Sequence, residues 1–271
     1  STKPVTELRV RSVNTGKTFL CGVPVSEHGP ISEGDFAIDG VPGTASRIYL
    51  KFYNPGGSLG KGVLPTKSPI DNIKIPSGEV YRTSVIDVGI PTIFVLAEEL
   101  NHRMTATLED LDSDWETKNI LEDIRCEVAV MLGLAPDSNT AHTEFQALPK
   151  IVMIEPKSSY IARDKKKIDL DLIDLRAIAI SMNQAHRTYP VSVSMATAAA
   201  AHMSGTLVSE LTKNLRDMEL CIGHPNGVMK VEIDVLESTD GWKVRSVTIF
   251  RTSRTIMEGK VNVPFSKLIT N

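Results

Sequence analysis

A chain of 271 residues is long enough for one large domain or two modest ones around a well-buried core. Its composition is ordinary for a globular protein, and a net charge of −3 with 5% aromatics offers neither attraction for nucleic acid or anionic membranes nor a base-stacking surface. No apolar run approaches the length that spans a bilayer, and Cys21, Cys126 and Cys221 are odd in number and lack metal-ligand spacing, which points to free thiols in a reducing, cytoplasmic compartment.

In chain order, Leu8 to Val13 and Thr18 to Val25 alternate apolar and polar residues and read as a hairpin around the turn at Asn14 to Lys17. Asp39 to Thr44 (DGVPGT) is a tight turn of glycine and proline, suited to close approach by a ligand or another chain segment; from its spacing alone an ordinary loop is the favoured reading, and it lacks the ending of a nucleotide-binding P-loop. Arg47 to Tyr53, Val80 to Val88 and Ile93 to Ala97 are further strands. A helix is predicted from Trp115 or Lys118 to Leu132, with Ile120, Leu121, Ile124, Val128 and Met131 on one face and Gly133 as its stop. Asp137 to Phe145 reads as a polar linker, and Ile151 to Ile154 as a short buried strand. The triplet Lys165 to Lys167 is balanced by Asp164, Asp169 and Asp171 and reads as a solvated loop. Arg176 to Met182 is strand-like. Val228 to Leu236 and Trp242 to Arg251 alternate cleanly about the turn at Ser238 to Gly241, and Ile256 to Val263 reads as a last strand.

The least ambiguous helix lies between Tyr189 and Leu211. Pro190 blocks helix on its N-terminal side, Ser192 or Ser194 is the expected N-cap, and Ser204-Gly205 ends or bends it. Its run of small residues, Ala196 to Ala201, carries no charge, so it is expected to be buried. Its hydroxyl-rich start is either a plain cap or an anion site. Strands joined mostly by hairpins and interrupted by two or three helices make an α+β protein with largely antiparallel sheets.

Five segments then line up together: Asp39 to Thr66, Ser84 to Val95, Ile180 to Val208, Ile222 to Val235 and Phe250 to Pro264. In this order they resemble the successive blocks of the PrpF family, the methylaconitate and aconitate isomerases and their relatives among oxalomesaconate tautomerases and methylitaconate isomerases. The resemblance implies the diaminopimelate-epimerase-like fold, with two similar domains of mostly antiparallel sheet, each curled around a central helix. Residues 1–83 with 252–271 would be an incomplete first domain, and 84–251 a second domain around a central helix at 192–211. It implies an isomerase that needs no cofactor and no metal. Such an enzyme shifts the double bond of an unsaturated di- or tricarboxylate by removing and returning a proton. The family's lysine and cysteine fall before Ser1, so the resemblance implies a further N-terminal piece or a second subunit, and leaves a homo-oligomer open.

Position within the family's pattern implies the binding residues. Ser192, Val193 and Ser194 fall at the start of the central helix and are candidates for a substrate carboxylate, with Val193 narrowing the approach. His186 and Arg187 match a His-Lys pair, so Arg187 is a candidate bidentate partner for a carboxylate. His224, Asn226 and Gly227 match a turn facing the cleft. Cys21 lies in a strand position and takes no catalytic role, Pro190 stands where epimerases carry a second cysteine, and His202 is structural. The alternative is a non-catalytic or remodelled relative that binds a small carboxylate or another metabolite in the cleft.

Overall fold

The computed structural model describes residues 4–13, 16–102, 104, 108–213, 215, 218–239 and 241–264. Asn14, Thr15, Asp240 and residues 265–271 lie outside these, so the two expected hairpin turns are defined here only by the strands that flank them.

The main strands are β1 (Val5–Arg11), β2 (Thr18–Ser26), β3 (Ile48–Tyr53), β4 (Asp71–Lys74), β5 (Val80–Val88), β6 (Ile90–Leu96), β7 (Lys150–Pro156), β8 (Leu175–Ser181), β9 (Glu219–His224), β10 (Gly227–Ser238) and β11 (Gly241–Arg251). They form one continuous sheet in the order β1-β2-β3-β11-β10-β9-β8-β7-β6-β5-β4. Pairing is antiparallel except between β6 and β7 and between β8 and β9. The helices are α1 (Leu108–Ser113), α2 (Trp115–Met131), α3 (Ser138–Glu144), α4 (Val191–His202) and α5 (Leu207–Leu211).

The sheet curls around α4, which packs on β5, β6, β9, β10 and β11. A helix without a polar face is stable only when it is covered on all sides. Val193 to Ala201 are all buried, and the alanines let the strands approach closely. On the other face of the sheet α2 lays Leu121, Ile124 and Val128 against Ile93, Val95 and Met153. Strands β6 and β7 are therefore buried on both faces: Phe94, Leu96, Val152 and Ile154 point to α4, and their neighbours point to α2. That is why Ile93 to Leu96 reads as a continuous apolar run rather than an alternating one. The class is the expected α+β, diaminopimelate-epimerase-like one.

Four local expectations change. The helix expected over 192–211 is two helices: α4 stops at His202, Gly205 takes φ +86°, and Thr206 restarts the chain as α5. Thr206 accepts from the Ser209 N–H at 3.1 Å and donates to the Ala200 carbonyl at 2.6 Å, so its side chain closes one helix and opens the next. Pro190, not a serine, occupies the N-cap of α4, and no side chain caps it. Asp137 to Phe145 is not a linker: Asp137 accepts from the Thr140 N–H at 2.8 Å and starts α3, which buries Ala141 against Cys126 and Ala129. Ile256 to Val263 is not a strand, and Ile256, Met257 and Val261 are exposed. At the opposite end of the sheet path from β4, β1 is exposed along its whole length.

Candidate active site

The turn between β9 and β10 organises the site. His224 pairs with Gly227 across Pro225 and Asn226, and proline favours the first corner of such a turn. Gly227 has φ +135°, and a Cβ there would lie 2.3–2.4 Å from the Asp39 side chain. Only glycine leaves room for that carboxylate. Asp39 Oδ2 accepts from the Val228 N–H at 2.7 Å, and Oδ1 accepts from Lys166 Nζ at 3.0 Å. Gly40 in turn sits against the Asn226 amide, 3.0 Å from where its own Cβ would be. Two glycine-containing turns, 187 residues apart in the chain, thus interlock. The Tyr160 hydroxyl lies 2.6 Å from the Gly227 carbonyl and 2.8 Å from that of His224, and holds the turn from behind.

His224 is buried, and its Nδ1 accepts from the Asn226 N–H at 3.2 Å, which assigns the ring proton to Nε2. Burial pulls its pKa down to about 4 against an opposing pull from Asp39, so the imidazole is neutral at pH 7. The ring stacks on Tyr189 with centroids 6.4 Å apart. Tyr189 is itself buried and shares a 2.8 Å hydrogen bond with Thr197 of α4. His224 stands between two cavities. One, of about 530 Å³, is bounded by Asp39, Thr188, Tyr189 and Met229. The other, of about 540 Å³, lies toward Tyr160, Arg163 and Arg176. In the second the Arg176 guanidinium is taken: it pairs with Glu155 at 2.6 Å and lies over the Tyr160 ring at 4.5 Å.

The residues expected from the sequence fall into three places. His224, Asn226 and Gly227 form the turn just described. Ser192, Val193 and Ser194 lie in the first turn of α4, which starts at Val191, but Val193 and Ser194 are fully buried. Val193 points into the core and cannot narrow an approach from outside, and the Ser194 hydroxyl donates to the Val191 carbonyl at 2.8 Å. What this segment offers a ligand is the half-buried Ser192 and the uncapped N–H groups of the first turn. His186 is half-buried apart from both: its backbone N–H donates to the Ala179 carbonyl at 2.8 Å, and its Nε2 is buried without a partner among the described residues. Burial and the nearby Lys150 hold it neutral. Arg187 is exposed. His202 bonds the carbonyl of Ala198 within its own helix.

Asp39 and Lys166 were missed as site residues. The DGVPGT turn is closely approached by another chain segment, the Asn226-Gly227 turn, and Lys166, exposed as expected of a solvated loop, also pairs with Asp39. The usable signal was an acidic residue inside a turn whose glycines exclude side chains. Among the described residues, Glu122, Cys126 and His142 group closely enough to hold a metal. Arg125 already grips Glu122 at 2.6 Å, and burial together with Glu122 pushes the Cys126 thiol up to about 12. The guanidinium stands where a cation would, so this set does not fit a metal.

A sheet curled around one uncharged helix, with a cavity lined by Thr188 and Tyr189 just before that helix, is a candidate small-molecule site on a diaminopimelate-epimerase-like scaffold. The chain belongs to the PrpF family, whose model, described as PrpF protein, matches residues 1–264. It is 31% identical to a 2-methyl-aconitate isomerase of Shewanella oneidensis over 96% of this chain and 66% of the relative. It is 32% identical to a 3-methylitaconate isomerase of Eubacterium barkeri, over 98% of this chain and 70% of the relative. A crystal structure of methylitaconate-delta-isomerase superposes with a TM-score of 0.86 at 30% identity, covering all of this chain and 69% of the other. The chain thus spans about two thirds of the length of the relatives it matches. No helix among the described residues is long and apolar enough to cross a membrane.

Proposed function

We propose that the whole protein is an isomerase that moves the double bond of a small unsaturated di- or tricarboxylate, in the manner named for its relatives, by taking a proton from carbon and returning one elsewhere. The observation that carries this reading is the start of α4: a twelve-residue buried helix opens at Val191 with Pro190 as an N-cap that makes no side-chain cap, just past Tyr189, a wall of the 530 Å³ cavity. Free N–H groups at a helix start suit a carboxylate and the enolate-like charge that forms when a neighbouring carbon is deprotonated. His224 is neutral with its proton on Nε2, so it serves as a hydrogen-bond donor rather than a base. Asn226 and Gly227 hold that ring, and Ser192 and Arg187 are further carboxylate partners.

The base and acid are a lysine and a cysteine from a section beyond these 271 residues or from a companion chain. The chemistry draws on no cofactor, and the cellular setting is the cytoplasm. Incubating the purified, complete protein with trans-aconitate in deuterated water tests the reading. Carbon-bound deuterium, followed by NMR, is the expected outcome. Binding without exchange points instead to a non-catalytic relative. Intact-mass measurement of the native protein tests the companion section: a native species of this chain's 29.6 kDa alone, active in exchange, refutes it.

A further inference from the structure

The 530 Å³ cavity carries two guanidinium groups that the description above leaves unused. Arg251 ends β11. By strand alternation it falls on the face of Val247 and Ile249, the face packed on α4. It is half-buried, and its one hydrogen bond among the described residues runs from Nη1 to the Phe250 carbonyl at 3.2 Å. No carboxylate among the described residues pairs with it, and burial lowers its pKa. A guanidinium has five donors, and holding it out of water with one bond made is unfavourable until an acceptor arrives.

Arg47, the exposed residue just before β3, lines the same cavity. Its guanidinium carbon lies 3.6 Å from the centre of the Phe250 ring and 5.4 Å from that of Phe36, and the two rings meet edge to face at 6.2 Å. Stacking orients the planar fork without neutralising it. The other charges around the cavity are taken. Asp39 is bonded to Lys166 and to the Val228 N–H, and Lys230 pairs with Glu219 at 2.6 Å. Two guanidiniums remain in the lining of a space that Tyr189 and Met229 also bound.

We propose that Arg251 and Arg47 are the carboxylate anchors of this cavity, which takes a small organic di- or tricarboxylate with one carboxylate on each fork. The choice among anions rests on the isomerase reading; the cavity and its unpaired guanidiniums do not.

Calorimetric titration of the full protein with tricarballylate, a saturated tricarboxylate that cannot turn over, tests the proposal. Arg251→Gln is expected to weaken binding at least about tenfold and Arg251→Lys to recover part of the loss, since a lysine keeps the charge without the fork. Arg47→Gln is expected to weaken binding about threefold or more, while Arg245→Gln, on the exposed part of β11 and paired with Asp234, leaves it unchanged. In the unsubstituted protein, tricarballylate should protect Arg251 from phenylglyoxal, read by peptide mass, which needs no variant to fold. Affinity unchanged in Arg251→Gln, no protection of Arg251, or no binding of tricarballylate at all overturns the assignment. Protection of Arg251 without deuterium exchange into trans-aconitate keeps this inference and removes the isomerase reading. Exchange with an unchanged KM in Arg251→Gln does the reverse.

Discussion

Replacing Gly227 by alanine tests the interlock that builds the site. Two costs arise at once. An alanine at φ +135° is strained by about 1–3 kcal/mol. Its Cβ would also sit 2.3 Å from Asp39 Oδ2 and 2.4 Å from Asp39 Cβ, so the whole side chain, not only the carboxylate, must move. Moving it breaks the bond from the Val228 N–H, a charge-assisted hydrogen bond worth about 1.5–3 kcal/mol. Together the loss is roughly 2.5–6 kcal/mol. Gly241 supplies the control, because it has φ +101° and open space where a Cβ would go, so Gly241→Ala reports the backbone strain alone. Urea denaturation of both variants should place Gly227→Ala below Gly241→Ala by about 2 kcal/mol. In an Asp39→Gly background the excess should vanish, whereas in Asp39→Ala, which keeps the Cβ, part of it should persist. Equal destabilisation of Gly227→Ala and Gly241→Ala in the parent chain would refute the interlock.

Two further outcomes follow from buried charges. His224 titrates near 4 when folded and near 6.5 when unfolded, so between those values the unfolded chain binds more protons and stability falls as the pH drops. The contribution is about 3 kcal/mol, complete above pH 6.5 and lost by pH 4. The difference in unfolding free energy from urea denaturation between the parent and His224→Asn should shrink by that amount across the window, and a constant difference would show that the ring is not held neutral by burial. Arg125 is buried and donates to Glu122 and to the carbonyls of Ala141, Phe145 and Leu148. Arg125→Met should therefore destabilise by about 3–5 kcal/mol, because Glu122 loses its cation and three carbonyls lose a donor. Thermal unfolding measures it, and a loss under about 1 kcal/mol would contradict the network.

Where local pattern determines structure, the sequence was legible. Strands β10 and β11 alternate because one face meets α4 and the other meets solvent, and α2 shows its buried stripe at helical spacing. The uncharged alanine run of α4 announced a helix covered on every side. The failures share a different cause. Ile256 to Val263 alternates just as well, but alternation cannot reveal whether a neighbouring strand exists to pair with. Helix α3 is short and polar, and it is held by one cap and by Ala141 docking on α2, neither of which leaves a periodic signal. Serine at the start of α4 looked like a cap, yet Pro190 takes that position and Ser194 bonds back within the first turn. The site was hardest to read because its decisive contacts are distant in sequence. His224, Asn226 and Gly227 came from resemblance to relatives, and Asp39 and Lys166 were passed over because each has a bland local explanation.

The distance in sequence has a structural consequence. Asp39 belongs to the segment between β2 and β3, near the exposed end of the sheet, whereas Gly227 and Val228 begin β10, which packs on α4. Besides the pairing of β3 with β11 and the contacts of Phe36 and Arg47 with Phe250, the interlock of Asp39 with Gly227, Val228 and Lys166 ties the first fifty residues to the helix-centred half. Asp39 also faces His224 electrostatically and sets one wall of the cavity that holds Arg251. A shift of the β1–β3 end of the sheet therefore cannot leave the site unchanged. It must either carry Asp39 away from the Val228 N–H, opening the cavity beside Tyr189, or draw the His224 turn along with it. Each course alters the space in front of α4, so the Asp39 contact couples the candidate site to the position of the β1–β3 end of the sheet.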